Sequence, residues 1–429
     1  MSKDSVSDNA APGGKRPLGI YLHIPFCIQK CLYCDFLSAP SDEAAREAYV
    51  KALLSEIDAQ APLYSDFCVQ TVFFGGGTPS LLTEGQTAAV LERLYQRFSF
   101  VPGKEREITL EANPGTLTAE KLRSWRASGV NRLSIGLQSA HDDELKALGR
   151  IHTWREFLSG YEAARQAGFS NLNIDLMSAL PGQSVESWMD TLKKTADLGP
   201  EHISAYSLII EEGTPFFDWY GTEEDAGAER TEPDTETGAA EAAGHPLPSD
   251  RKPLPTEEED RLMYERTGEF LKERGYERYE ISNYARPGYA CRHNLAYWER
   301  TDYAGFGLGA ASLRENVRWS NTSDMAEYLA HAGGPGENPE IRKERMRLGR
   351  QEQMEEFMFL GLRKTKGVSA ETFRRLFGEE LEEVYGEPVG RLIREGLLVR
   401  CRREDGELFF RLTDRGIDVS NYALAMFLF

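Results

Sequence analysis

Long apolar runs are missing from this chain. No stretch of its 429 residues approaches the roughly 20 apolar residues that a helix needs to span a bilayer. The opening MSKDSVSDNAAPGGKRP has no apolar signal core either. A cytoplasmic protein, at most peripheral to a membrane, is expected. Positive charge is also scarce: 50 Lys and Arg face 69 Asp and Glu, a formal net charge of −19, which disfavours a nucleic-acid partner. The excess is local, however. Between Thr222 and Asp260 thirteen acidic residues meet three basic ones, so ten of the net negative charges sit in one segment. That segment has almost no large apolar residues and cannot bury enough surface to fold alone, so residues 222–256 are read as an acidic, disordered insert. Residues 1–17 are read as a flexible leader. Cysteine is sparse too, at six, and without a secretory signal a disulfide framework is not expected.

Half of those cysteines nevertheless crowd into one place. Tyr21 to Phe36 reads YLHIPFCIQKCLYCDF, with Cys27, Cys31 and Cys34 directly after a strand-like run. Three thiolates on one short loop suit three corners of an iron–sulfur cubane and leave one iron free for a cosubstrate. The competing reading is a zinc knuckle. It needs four protein ligands, and none of Cys68, Cys291 and Cys401 has a second cysteine nearby to complete one.

From Leu18 to about Ile210 short β-type runs alternate with amphipathic helical stretches. Strands are predicted at Leu18–Pro25, Thr71–Phe74, Glu107–Glu111, Arg132–Gly136, Asn171–Leu176 and His202–Ile209, with helices such as Glu43–Gln60, Ala119–Ser128 and Val185–Leu198 between them. Such alternation without hairpin signals predicts a parallel α/β sheet. Pattern alone does not separate an open sheet from a partial barrel. The chemical residues fall at or just past strand C-termini, the rim that carries active sites in β/α barrels. The triplet follows the first strand and Gly75-Gly76-Gly77-Thr78-Pro79 the second; Glu111 ends the third, Gln138 follows the fourth and Asp175 lies in the fifth. Taken singly, each polar residue fits a hydrogen-bonded structural role equally well. The GFGLGA run at 305–310 lacks a strand–helix context and is read as a tight loop rather than a dinucleotide fingerprint.

With Tyr33 just before its last cysteine, C-x3-C-x2-C resembles the signature of the radical S-adenosylmethionine (SAM) superfamily. The words YLHIPFC, CDF, FFGGGTPS, LEANPGTL, RLSIGLQS, LGRIH and NIDLMSALPGQ follow in order from Tyr21 to about Gln183. They are similar to those of the subgroup that contains oxygen-independent coproporphyrinogen III oxidases and HemW-type heme chaperones. The resemblance implies a partial (β/α)6 barrel over 18–221 and a [4Fe-4S] cluster on Cys27, Cys31 and Cys34. It implies SAM contacts from Tyr21, Tyr33, Gly76, Gly77, Thr78, Glu111, Gln138, Arg150 and Asp175, with a capacity for reductive SAM cleavage.

Within the subgroup, three features separate an oxidase from a chaperone. The oxidases carry a further cysteine two positions after the third ligand, where this chain has Phe36. They also have a longer N-terminal region, whereas twenty residues precede Tyr21 here. Third, His293-Asn294-Leu295-Ala296-Tyr297-Trp298 matches the H-N-x-x-Y-W word of the HemW-like proteins. The resemblance therefore implies a chaperone that binds heme and delivers it to membrane respiratory proteins, served by an electron donor. The alternative is oxidative decarboxylation of coproporphyrinogen III. In the aromatic-rich region 257–345, His293 or Cys291 is a candidate axial ligand to heme; the other reading of His293 is a core histidine bonded beneath a packed tryptophan. Residues 346–429 show short helices and a hairpin around Asp405-Gly406 and are read as winged-helix-like, which by itself assigns no DNA function.

Overall fold

Strand alternation decides how this fold is built. In the runs RLSIGLQ, NIDL and HISAYS every second residue is aliphatic, and a strand sends successive side chains to opposite faces. In the computed structural model, which describes residues 14–221, 251–403 and 406–428, the aliphatic set packs under helices while the polar set fills an interior. The residues read as the leader through 13, and the insert from 222 to 250, lie outside the described residues.

Strand β1 (Arg16–Ile24) is followed by α1 (Glu43–Gln60), β2 (Phe67–Gly76), α2 (Glu84–Arg97), β3 (Glu107–Ala112) and α3 (Ala119–Ser128). Then come β4 (Arg132–Gln138), α4 (Trp154–Gln166), β5 (Leu172–Ser178), α5 (Val185–Asp197) and β6 (His202–Ser207). Adjacent strands from β1 to β6 pair in parallel, with Ile20 opposite Val72, Val72 opposite Ile108 and Ile174 opposite Ile203. These side chains are wholly buried and belong to one core with Leu53 and Leu94 of the covering helices. The expected helical starts hold for clear chemical reasons. Thr83 and Thr153 close capping boxes with Gln86 and Glu156, satisfying N–H groups that a first turn leaves bare.

Past the sixth strand, α6 (Glu257–Glu273) leads to β7 (Glu277–Arg278) and β8 (Asn283–Ala285), then α7 (Arg292–Trp298), β9 (Tyr303–Phe306), β10 (Ala311–Arg314), β11 (Val317–Asn321) and β12 (Arg342–Arg347). The full sheet order is β12-β11-β10-β9-β1-β2-β3-β4-β5-β6-β8-β7. β9 pairs in parallel with β1, a seventh parallel strand where the sequence suggested only a loop. The GFGLGA run is half strand and half turn: Gly305 and Phe306 belong to β9, while Gly307 turns at φ +100. A side chain at Gly305 would lie 2.1 Å from the carbonyl oxygen of Ala311, so the closeness of the hairpin itself selects glycine. The turn is also tied down from outside the sheet, because the buried carboxylate of Glu56 on α1 accepts from Gly307 N (2.8 Å), Tyr328 OH (2.7 Å) and Asn321 Nδ2 (2.7 Å).

The end strands β12 and β7 do not pair, so the barrel is partial, and α7 lies along its open interior. The C-terminal part forms a second core from α8 (Arg350–Gly361), β13 (Val368–Ser369), α9 (Ala370–Phe377), α10 (Leu381–Arg394), β14 (Leu398–Arg402) and β15 (Leu408–Leu412). Its sheet order is β13-β15-β14, a helix–strand–helix–helix–hairpin order that matches the winged-helix-like expectation. It docks on the barrel through Tyr264 and Ile281, which pack against its core, and through Thr365, whose N–H donates to Tyr279 O at 3.0 Å. The two sides of the insert meet: Tyr220 OH donates to Lys252 O at 2.9 Å, and the Arg251 guanidinium lies 4.1 Å over the Trp219 ring. Among the described residues no helix is long and apolar enough to cross a membrane.

Candidate functional site

β1 runs directly into the cysteine loop, whose base is closed by a short parallel pairing of Phe26 with Ala39 and Cys27 with Pro40. Cys27, Cys31 and Cys34 are free and partly exposed. Each of the first two sulfurs is approached by a donor. Thr78 OH lies 3.6 Å from Cys27 Sγ, and Arg150 Nη1 lies 3.5 Å from Cys31 Sγ while Nη2 donates to Gly136 O. Asn113 Nδ2 in turn donates to Thr78 Oγ1 at 2.9 Å, which fixes that hydroxyl. Burial pushes the Cys34 thiol up to about 11, partly offset by the Phe36 N–H. Among the described residues no three acidic, histidine or cysteine side chains close on one point as a single ion requires. A cubane asks for a looser set, one thiolate per iron, and three soft donors on one loop with N–H and O–H groups aimed at sulfur fit that demand. Phe36 is 60% exposed and offers the loop no fourth thiol.

The glycine run has a use inside the protein. Gly76 sits at φ +105, and a Cβ there would fall 2.6 Å from the His23 ring; one at Gly77 would fall 2.6 Å from Phe26 O. Gly77 N–H donates to Ile24 O (2.9 Å) and Thr78 N–H to Phe26 O (2.7 Å). The end of β2 is thereby pressed against the base of the cysteine loop, which brings Thr78 to Cys27.

Deeper on the same rim, burial and then the neighbouring Asp175 push Glu111 up to about 8, against the pull of the Gly76 N–H. Asp175 is also raised by burial while it accepts from Ser134 Oγ (2.9 Å) and Asn173 Nδ2 (2.7 Å). Gln138 stands at φ +71, rare for a residue with a side chain, beside a register shift in β4, and accepts from Tyr206 OH at 3.4 Å. Backbone strain of this kind gathers at functional sites. Tyr33 packs near Phe216, their ring centres 6.3 Å apart, and bonds toward Cys31. The rim thus gathers Tyr21, Tyr33, Gly76, Gly77, Thr78, Glu111, Gln138, Arg150 and Asp175 around the mouth where the cysteine loop sits.

Cys291 and His293 lie at the opposite end of the strands. Glu107, the first residue of β3, accepts from the backbone N–H of Arg292 and His293, each at 3.1 Å, and from Cys291 Sγ at 3.5 Å. It caps α7 from inside the barrel, and together with Cys291 it acts electrostatically on the buried guanidinium of Arg132. His293 Nδ1 is 2.8 Å from Thr71 Oγ1, Nε2 is 3.0 Å from Tyr297 OH, and the ring stacks on Phe73 with centres 5.1 Å apart. Burial, helped by Arg132, holds His293 down to about 3, and burial raises Cys291 to about 12. Both ring nitrogens are therefore engaged in this arrangement. On the far side of Tyr297 opens a cavity of about 320 Å³ whose walls include Tyr21, Tyr297, Trp298 and Tyr303 together with Arg300 and Arg318. Glu356 of α8 holds both guanidiniums, at 2.9 and 2.8 Å.

The sequence reading missed His23, Asn113, Arg132 and Tyr206. Alternation was the available signal for three of them: His23 follows Tyr21 by two, Arg132 precedes Ser134 by two and Tyr206 follows Ser204 by two, so each shares the interior face.

Comparison with known proteins gives consistent relationships. Residues 21–195 match the model of the radical SAM superfamily and residues 348–419 that of the HemN C-terminal domain. The heme chaperone HemW of Lactococcus lactis subsp. lactis (strain IL1403) is 33% identical over 96% of this chain and 98% of its own length; that of Bacillus subtilis (strain 168) is 34% identical over 95% and 98%. In structure, the chain is similar to coproporphyrinogen III oxidase (HemN) from Escherichia coli, with a TM-score of 0.76 and 23% identity over 96% of this chain and 90% of that one. At that identity the likeness shows the fold.

Proposed function

The chain belongs to the HemW family of radical SAM proteins, and on that footing we propose that it is a heme chaperone that binds heme and delivers it to membrane respiratory proteins. Cys27, Cys31 and Cys34 would hold a [4Fe-4S] cluster, and Tyr21, Tyr33, Gly76, Gly77, Thr78, Glu111, Gln138, Arg150 and Asp175 would hold SAM beside it. When bound, this pair supplies one-electron reductive cleavage of the SAM sulfonium, fed by an electron donor. The protein's own part is to orient and shield. Thr78 and Arg150 donate to the sulfurs of Cys27 and Cys31 and hold them in place. Glu111 and Asp175 present paired carboxyls to an ammonium group.

The observation that carries the heme reading is the aromatic cavity beside the H-N-x-x-Y-W segment. Its volume of about 320 Å³ is near the lower end for ligand sites, roughly 300–1,000 Å³, and takes one edge of a macrocycle. Two arginines sharing one carboxylate leave a positive charge in the cavity wall, which suits a propionate. His293 and Cys291 stay candidate ligands, and ligation by His293 requires it to release Thr71 or Tyr297. The deciding experiment gives cluster-reconstituted protein either coproporphyrinogen III with SAM and a reductant, or heme with a heme-free acceptor. No decarboxylated porphyrin and transfer of heme are expected; sustained decarboxylation would make the protein an oxidase.

SAM affinity is expected to depend on pH. Glu111, pushed up to about 8, keeps its proton at neutral pH and must release it to pair with the ammonium of SAM. Binding therefore weakens as pH falls below 8, by roughly tenfold per unit, and Glu111→Gln flattens the profile. Calorimetric titration between pH 6 and 9 checks this, and an unchanged affinity across that range removes Glu111 from the SAM site.

A further inference from the structure

Tyr21 stands between the cavity and the cysteine loop. Its ring lines the cavity, and its hydroxyl lies 3.1 Å from His23 Nδ1. On the other side, His23 Nε2 lies 2.8 Å from the carbonyl oxygen of Leu37, three residues past Cys34. A carbonyl oxygen only accepts, so Nε2 carries the proton and Nδ1 offers its lone pair to the Tyr21 O–H. The polarity of the chain follows: Tyr21 donates to His23, and His23 donates to Leu37.

The imidazole has little room to do anything else. Its ring occupies the space that a side chain at Gly76 would fill, it is 8% exposed, and Tyr49 OH clamps its backbone carbonyl at 2.7 Å. The receiving end is equally defined. Immediately after Leu37 and Ser38, Ala39 N–H bonds back to Pro25 O at 3.0 Å, so the Leu37 carbonyl sits in the short return arm of the loop that bears all three cysteines.

We propose that Tyr21 and His23 are positioning residues through which occupancy of the cavity by a porphyrin is registered at the cysteine loop. The proposal rests on the heme reading of the cavity given above. A macrocycle edge against the Tyr21 ring tilts the phenol, the hydroxyl carries His23 with it, and the Leu37 carbonyl follows, re-setting the loop around Cys34. Coupling of this kind is reciprocal. Porphyrin binding alters the reduction potential of the cluster, and the oxidation state of the cluster alters porphyrin affinity by the matching factor. A chaperone wired this way has a means of releasing its cargo when the cluster changes state.

The test uses the full chain with its cluster reconstituted, and zinc protoporphyrin as a diamagnetic, fluorescent probe. Porphyrin affinity is read by fluorescence with the cluster oxidised and reduced, and the reduced cluster by electron paramagnetic resonance and potentiometry at saturating probe. The wild-type chain should show affinities differing by at least about fivefold between the two cluster states, with a probe-dependent potential and g-values. In Tyr21→Phe, and separately in His23→Gln, the two affinities should fall within about twofold of each other and the potential should no longer respond to saturating probe. A response that persists in both variants, or a wild-type chain that binds the probe with no change at the cluster, overturns the proposal. A chain that binds no porphyrin in either state overturns the heme reading itself, and the separate fluorescence readout tells these failures apart.

Discussion

Single replacement of Cys27, Cys31 or Cys34 by alanine is expected to reduce the iron content of anaerobically reconstituted protein to background and to abolish its broad visible absorption. A cubane with three protein corners has no spare ligand, and the position two past Cys34 is Phe36, 60% exposed. Cys68 and Cys291 are buried away from the loop, so Cys68→Ala should keep its iron and serves as the control. The effect is chemical rather than structural. The three thiols are partly exposed on a loop outside the main core, and in the cluster-free chain substitutions at such places cost within about 0.5 kcal/mol. Circular dichroism and the melting temperature of the cluster-free variants should therefore match those of cluster-free wild type, while cluster-loaded wild type melts higher by the linkage of cluster binding to folding. Full iron content in any of the three variants would remove the cluster assignment.

The second large effect lies at the other end of the barrel. Glu107→Ala is expected to destabilise the protein by about 2–3 kcal/mol, the cost of leaving buried backbone N–H groups at the start of α7 without their acceptor. Glu107 is 3% exposed. Its removal frees the first two N–H groups of α7 and takes a negative charge from the surroundings of the buried Arg132 guanidinium. The Arg292 side chain contributes little, being 3.9 Å away and half in solvent. Because α7 carries Tyr297 and Trp298, porphyrin affinity should fall together with stability. Glu107→Gln keeps an acceptor for α7 and should lose less. Urea unfolding checks both variants, and a loss below about 1 kcal/mol for Glu107→Ala would show that the cap does not carry the load argued for it.

The six parallel strands were legible because each pairs an aliphatic face with a polar one, a pattern that survives translation into a string. β9 was not. Four residues with a central glycine carry no period, and its neighbour β1 lies more than 270 positions earlier. The rim residues could be grouped from strand ends alone, since a parallel sheet puts all of those ends on one side. Cys291 and His293 show the opposite case. The H-N-x-x-Y-W word marks a kinship, but its place at the foot of the barrel depends on Glu107, 186 positions away from His293, and no local signal announces that partner. His23 had a signal, two residues from Tyr21, yet nothing in a string reveals that its other nitrogen would find Leu37.

The meeting of Tyr220 with Lys252, and of Trp219 with Arg251, forms a seam between the end of the barrel's sixth unit and the approach to α6. The fold itself brings the two anchors together. A pair of reporter groups on Trp219 and Arg251 would therefore read the closure of this seam directly, and its opening on warming would mark whether the last strand of the barrel and α6 come apart separately or together.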